Sequence, residues 1–223
     1  MELIENIFIP TYVVNLRKRV DRLAHIKREF AGREEFKVTY IEAVEDTIGA
    51  LGLWKSLVKV IHEAKNAGDE LIIFCEDDHQ FTANYSKQKL FEIIQEGYKL
   101  NAELLIGGSS GGFKTSLPVS ENLLWVQSYC SNQFLVIYKR FFDIILRKTD
   151  FDPKKKVDNT ISDLALSKFV IVPYLSNQKC FYYSDVTMFN QLYPENQLER
   201  FTEAEQNLGK IMKIYQMFRS KLT

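Results

Sequence analysis

Cysteine, net charge and long apolar runs are all scarce in this chain. Its three cysteines, Cys75, Cys130 and Cys180, form an odd set without CxxC spacing, so no disulfide framework or paired-thiol metal knuckle is spelled out and a reducing cytosol is the expected setting. The 29 basic residues are cancelled by 29 acidic ones, which excludes the broad positive field that nucleic-acid binding requires. An anionic partner has to be met locally. Ile7 to Val14 is apolar for too short a stretch to be a signal peptide or membrane span, and Met1 to Asn6 carries two glutamates and no basic cluster, so a cytoplasmic protein is expected. No Pro/Gly/Ser-rich linker, repeat or low-complexity segment divides the sequence. With 223 residues, 46% of them hydrophobic, the chain can bury one sizeable core, and a single domain is expected.

What is present is an alternation of strand and helix patterns. Phe8 to Leu16 is rich in β-branched and aromatic residues and reads as a strand, followed by a helix marked by Leu23, Ile26 and Phe30. Lys37 to Ala43 predicts a second strand. Ile48 to Ala67 predicts a helix with Leu53, Leu57, Val60, Ile61 and Ala64 on one face, ended by Gly68. Trp54 sits at that spacing and reads as core. Glu70 to Cys75 is a continuous apolar run, the pattern of a central strand covered on both faces. Tyr85 to Leu100 predicts a helix, Glu103 to Ile106 a strand, and Gly107 to Gly112 a mobile loop beyond it, with lid character. Leu123 to Val126 and Phe134 to Tyr138 read as strands, Arg140 to Arg147 and Ile161 to Lys168 as helices, and Val170 to Val172 as a short strand. The first half is thus a Rossmann-like α/β unit with a mostly parallel sheet, and the second half is more mixed. Glu203 to Leu222 predicts an amphipathic C-terminal helix, with Leu208, Ile211, Met212, Tyr215 and Phe218 on one stripe and Lys210, Lys213, Arg219 and Lys221 nearby. The expected division is a domain over 1–200 and this helix over 201–223. Packing on the core or on a second subunit is its ordinary role, and resting on an anionic membrane face is the alternative.

The chemistry concentrates at Glu76-Asp77-Asp78, where the Glu70 to Cys75 run stops. Ligands of open α/β sheets collect beyond the carboxyl ends of strands. On an extended chain Glu76 and Asp78 point to one side and Asp77 to the other. Hard carboxylate oxygens suit Mn2+ or Mg2+, ions that bridge protein carboxylates and substrate phosphates, and His79 offers a nitrogen ligand. The plainer reading is a solvated acidic turn ahead of a helix.

Several ordered motifs resemble glycosyltransferase family 25, the group of lipopolysaccharide and collagen galactosyltransferases. Val13-Val14-Asn15-Leu16 with Arg19 and Asp21-Arg22 is similar to its opening "NL…R…DR" signature, and Gly52-Leu53-Trp54-Lys55-Ser56 to its "G…SH" helix. LIIFCEDD over Leu71 to Asp78 resembles the family's strand ending in EDD. Asn101 to Gly107, the Tyr138 to Leu146 helix, Val157-Asp158, and Pro173, Gln178 and Ser184-Asp185 follow in the family's order, and the likeness spans residues 8 to 187. Leu57 stands where the family has a histidine, and no histidine follows His79.

The resemblance implies a GT-A-like Rossmann-type mixed sheet flanked by helices. It further implies a metal-dependent, inverting hexosyltransferase that uses a nucleoside-diphosphate sugar, UDP-galactose favoured. The acceptor it implies is a saccharide or lipid-linked glycan of cell-surface polysaccharide or lipopolysaccharide synthesis. On this reading Asp78 and Asp185 hold the ion, while Asn15, Arg19, Arg22, Glu76 and Asp77 contact the donor. Inversion needs a carboxylate to take the acceptor hydroxyl's proton. Asp158 and Asp163, flanking the start of a predicted helix, are the candidates, with helix capping as the plainer role of either. Two other functions remain open: a non-catalytic nucleotide-sugar or glycan-binding module, and a metal-dependent phosphohydrolase.

Overall fold

A computed structural model describes residues 8–183 and 196–221. One eight-stranded sheet forms its centre. The first half alternates as expected: β1 (Ile9–Asn15), α1 (Val20–Phe30), β2 (Phe36–Glu42), α2 (Gly49–Ala67) and β3 (Leu71–Glu76). Then follow β4 (His79–Phe81), α3 (Lys87–Lys99), β5 (Leu104–Ile106), β6 (Ser116–Pro118), β7 (Leu123–Val126), β8 (Phe134–Tyr138) and α4 (Lys139–Arg147). The chain continues through α5 (Val157–Leu164), β9 (Lys168–Ile171) and β10 (Ser176–Gln178) to a last helix, α6 (Asn196–Arg219).

The strand order is β2-β1-β3-β8-β5-β9-β7-β6. Strands β2, β1 and β3 are mutually parallel. The parallel run ends there, because β8 inserts antiparallel between β3 and β5. Strand β5 is parallel to β9, and β7 and β6 close the sheet antiparallel. The α/β class with a mixed, helix-flanked sheet therefore holds, while the mostly parallel sheet expected from the first half gives way at β8.

Local chemistry accounts for the elements that position the site. Leu57, Val60, Ile61 and Ala64 of α2 are buried against Ile72 and Phe74 of β3. Trp54 lies in the same core, its ring stacked on Phe151 at 5.1 Å. Gly68 ends α2 in the left-handed conformation (φ 75°), its N–H donating to the Ala64 and Lys65 carbonyls. Ile72 to Cys75 are fully or almost fully buried, as a strand covered on both faces requires. On one face lie α2, α4, α5 and α6, and on the other α1 and α3.

Three short strands, β4, β6 and β10, have no counterpart in the sequence reading. Helix α5 starts four residues before the expected Ile161 and ends before Lys168. The Gly107 to Gly112 segment is packed in its first half: Gly107, Gly108 and Ser109 are buried. The Gly107 carbonyl accepts from Leu175 and Ser176 N–H at 2.8 and 3.1 Å. Gly107 and Gly108 serve close backbone approach, whereas Gly111 and Gly112 take φ of 112° and 78°. A Cβ on Gly108 would stand 1.9 Å from the Ser176 carbonyl oxygen, so Gly108→Ala is expected to cost about 3 kcal/mol, the upper end of overpacking. A urea midpoint equal to wild type would contradict this.

In α6, Phe201, Leu208 and Met212 are buried and Ile211 packs against the same core. Phe218, expected on that stripe, is instead exposed. Among the described residues no helix is long and apolar enough to cross a membrane.

Candidate active site

A cleft of about 260 Å³ opens beyond the carboxyl ends of β1, β2 and β3. Small-molecule sites run from about 300 to 1,000 Å³, so this cleft falls just below that range. Glu76, Asp77 and Asp78 all line it. The expected alternation fails at this point, because only Glu76 belongs to β3 and Asp77-Asp78 form a turn into β4. A turn has no period of two, and all three carboxylates face one cavity.

Each acid has its own environment. Asp77 is held at both oxygens: Asn15 Nδ2 donates to Oδ2 at 2.7 Å, and the Arg22 guanidinium to Oδ1 at 2.6 Å. Arg22 also donates to Asp78 Oδ2 at 3.4 Å, whereas Asp78 Oδ1 is buried without a partner. Burial raises the Asp78 carboxyl to about 6, against the opposing pull of Arg22. Glu76 is pushed well above the usual carboxylate range, first by burial and then by Asp78 and Asp77, with Asp158 adding to the repulsion. Burial works against the charge on Arg22, but Asp78 and Asp77 outweigh it and hold the guanidinium protonated. Arg22 is therefore no solvated helix residue. Its side chain is 13% exposed, and the Phe181 and Tyr183 rings lie 4.9 and 5.0 Å from its guanidinium.

The other expected residues separate into those at the cleft and those outside it. Asp158 is in the first turn of α5, 8% exposed, on the cleft wall. Its Oδ2 accepts from the Ser131 N–H at 3.0 Å and its Oδ1 from the Asn159 N–H at 2.8 Å. Ser131 carries a φ of 85° to aim that N–H, a conformation that costs a non-glycine residue of order 1 kcal/mol and is typical of sites. Asp163 is not brought to the cleft. It sits near the end of α5, exposed and paired with Lys155, and so neither reaches the site nor caps the helix start.

Asn15 stands behind Asp77, its amide divided between that carboxylate and the Arg19 carbonyl. The Arg19 guanidinium lies 4.1 Å over the Tyr183 ring, beside the cleft rather than on its wall. His79, offered as a metal ligand, is fully buried on the far side of the turn. Its Nδ1 pairs with Ser176 Oγ at 2.7 Å and its ring packs between Phe81 and Phe134, so it does not face the cavity. Asp185 lies outside the described residues.

The cleft also contains residues that the sequence reading passed over. Lys18, Glu45 and Asp46 come from the loops after β1 and β2, Ser110 and Cys130 to Asn132 from loops beside β5 and β8, and Lys156 from the turn before α5. Arg200 reaches it from α6. Glu45 and Asp46 follow a strand's carboxyl end, the same signal that exposed Glu76. Nothing local marks Arg200, which the fold brings in from more than a hundred residues beyond the acidic triplet.

The carboxylates fit a divalent cation in a limited way. Among the described residues no group of three His, Cys, Asp or Glu is arranged to hold a metal ion. The orphaned Asp78 Oδ1 and the neighbouring Glu76 supply two oxygens, enough for an ion whose remaining ligands come from phosphates and water.

No family model and no curated protein matches the sequence. Solved structures with distant likeness include A197 from STIV, at 11% identity and TM-score 0.47 over 77% of this chain and 84% of that one. A glycosyltransferase involved in the glycosylation of the major capsid of PBCV-1 is similar at 14% identity and TM-score 0.45, over 89% of this chain and 99% of that one. An apo UDP-glucose pyrophosphorylase follows at 12% identity and TM-score 0.45, over 91% and 81%. Likenesses this slight carry no argument about activity, and the resemblance to glycosyltransferase family 25 rests on its motifs.

Proposed function

We propose that the protein is a glycosyltransferase that takes a hexose from a nucleoside-diphosphate sugar, uridine diphosphate and galactose favoured, and passes it to a glycan hydroxyl. One observation supports this most: Glu76, Asp77, Asp78 and Asp158 gather in a single cleft at the carboxyl ends of parallel strands, with Arg22, Lys18, Lys156 and Arg200 around them. That mixture suits a polyhydroxylated ligand carrying a diphosphate, in which carboxylates accept from sugar hydroxyls and cations meet phosphate.

In this reading Glu76 and Asp78 hold Mn2+ or Mg2+, which when bound neutralises charge on the departing diphosphate. Arg22 keeps Asp77 and Asp78 in place through Nη1, which donates to both. Asp158 accepts the proton of the attacking hydroxyl, oriented by the Ser131 N–H. Displacement by that hydroxyl at the anomeric carbon inverts its configuration.

Phosphohydrolysis with Asp77 as the nucleophile fits less well, since that carboxylate is paired with the Arg22 guanidinium and held by Asn15. A binding module without turnover is the second reading, favoured by Leu57, which is fully buried in the core where the resembled family has a histidine. Incubation with a panel of UDP-hexoses, Mn2+ and saccharide acceptors separates the two. Release of uridine diphosphate that depends on acceptor supports the transferase. Donor binding with no release under any acceptor leaves the module.

A further inference from the structure

Helix α6 presents two apolar faces. One, carrying Phe201, Leu208 and Met212, is buried in the core. The other lies on its last turns, where Ile214, Met217 and Phe218 are 55%, 63% and 65% exposed. Positions i, i+3 and i+4 share one side of a helix. Lys210 precedes Ile214 by one turn, Lys213 precedes Met217 by one turn, and Lys221 follows Met217 and Phe218 by four and three residues, so exposed lysines bracket the stripe. A core-packing helix would have polar residues here.

Charge indicates what covers this face. Over the whole chain acids and bases cancel, yet residues 210–223 contain Lys210, Lys213, Arg219 and Lys221 and no Asp or Glu. Arg219 is engaged with Glu121 at 3.6 Å, which ties the helix end to the body. The three lysines remain beside the apolar stripe, with Lys210 Nζ also donating to Asn207 Oδ1 at 3.2 Å. Three exposed large apolar side chains within a ring of ammonium groups match an interface that is apolar below and anionic above. A protein partner would have to supply both a pocket and several carboxylates.

We infer that the Ile214, Met217 and Phe218 face of α6 is a docking surface for the anionic headgroup layer of a lipid bilayer. Its apolar side chains enter the acyl boundary and Lys210, Lys213 and Lys221 meet lipid phosphates. Met217 is about 25 Å along the helix from Arg200 in the cleft, at 1.5 Å per residue, so docking leaves the cleft open. The inference does not depend on what the cleft binds.

Cosedimentation of the full chain with phosphatidylcholine vesicles, with and without phosphatidylglycerol, tests it. The chain is expected to pellet with the anionic vesicles, to remain in solution with the neutral ones, and to be released by raised salt. Replacing the three lysines by Gln is expected to weaken partition by about a hundredfold, roughly fivefold for each lysine. The exposed triple change Ile214→Gln, Met217→Gln, Phe218→Gln is expected to abolish binding while leaving helical circular dichroism unchanged. The inference is overturned if the wild type ignores anionic vesicles or if the apolar variant pellets as well as wild type. It is also overturned if sedimentation equilibrium without lipid shows a wild-type dimer that the variant disperses, which would give the stripe to a second copy.

Discussion

Asp158→Asn is expected to lower sugar transfer by about a hundredfold to ten-thousandfold, the contribution of a general base, while leaving fold and donor affinity near wild type. The amide keeps the shape of the side chain, and its oxygen can still accept from one of the two N–H groups that hold Asp158, Ser131 at 3.0 Å and Asn159 at 2.8 Å, at the cost of the other bond. What it loses is the ability to receive a proton. Asp163→Asn is the control, since that residue is exposed and paired with Lys155 away from the cleft. Equal losses in the two variants, or undiminished transfer in Asp158→Asn, would remove Asp158 from the chemistry.

Arg22→Ala is expected to destabilise the fold by about 3 to 5 kcal/mol, the usual consequence of removing one partner from a buried charged cluster. The Asp77 and Asp78 side chains are 9% and 10% exposed, so cleft water is a poor substitute for the guanidinium charge, and the repulsion that already raises Glu76 would grow. Arg22→Lys keeps a charge but loses the planar guanidinium whose Nη1 reaches both carboxylates while Nη2 donates to the Tyr183 carbonyl, and is expected to recover only part of the loss. Urea titration measures both. A wild-type midpoint for Arg22→Ala would mean that the acidic cluster needs no internal counter-charge.

How much of this could be read from residues alone follows from where the signal resides. β7 and β8 match the expected bounds, and β1, β3 and α2 match to within a residue or two, because their apolar patterns are long or sharply punctuated, as by Gly68. β4, β6 and β10 have only three residues each, too few for alternation to show. The antiparallel insertion of β8 was equally hidden, since Phe134 to Tyr138 reads as a buried strand in either direction. Helix α5 begins in Val157-Asp158-Asn159-Thr160, whose composition favours turns over helix, and only pairing with the rest of the molecule decides it.

At the site, the triplet was legible because an apolar strand ends there, but its three-way convergence was not, since it depends on a turn at Asp77-Asp78. Asn15 and Arg22 lie at the end of β1 and the start of α1, within reach of a strand-end argument. His79 looked like a ligand by adjacency, and the chain reversal into β4 turned it to the core. Ser131 and Arg200 carry no sequence signal of their own. They are assembled by tertiary packing.

The most direct test of the central claim is calorimetric titration of uridine diphosphate into the wild type and Asp78→Ala, with and without Mn2+. Binding by the wild type is expected to strengthen with Mn2+, and Asp78→Ala to lose that strengthening, because Asp78 Oδ1 is the buried oxygen left for a cation. If no nucleoside diphosphate binds the wild type with any divalent ion, the cleft serves another ligand and the transferase reading is wrong.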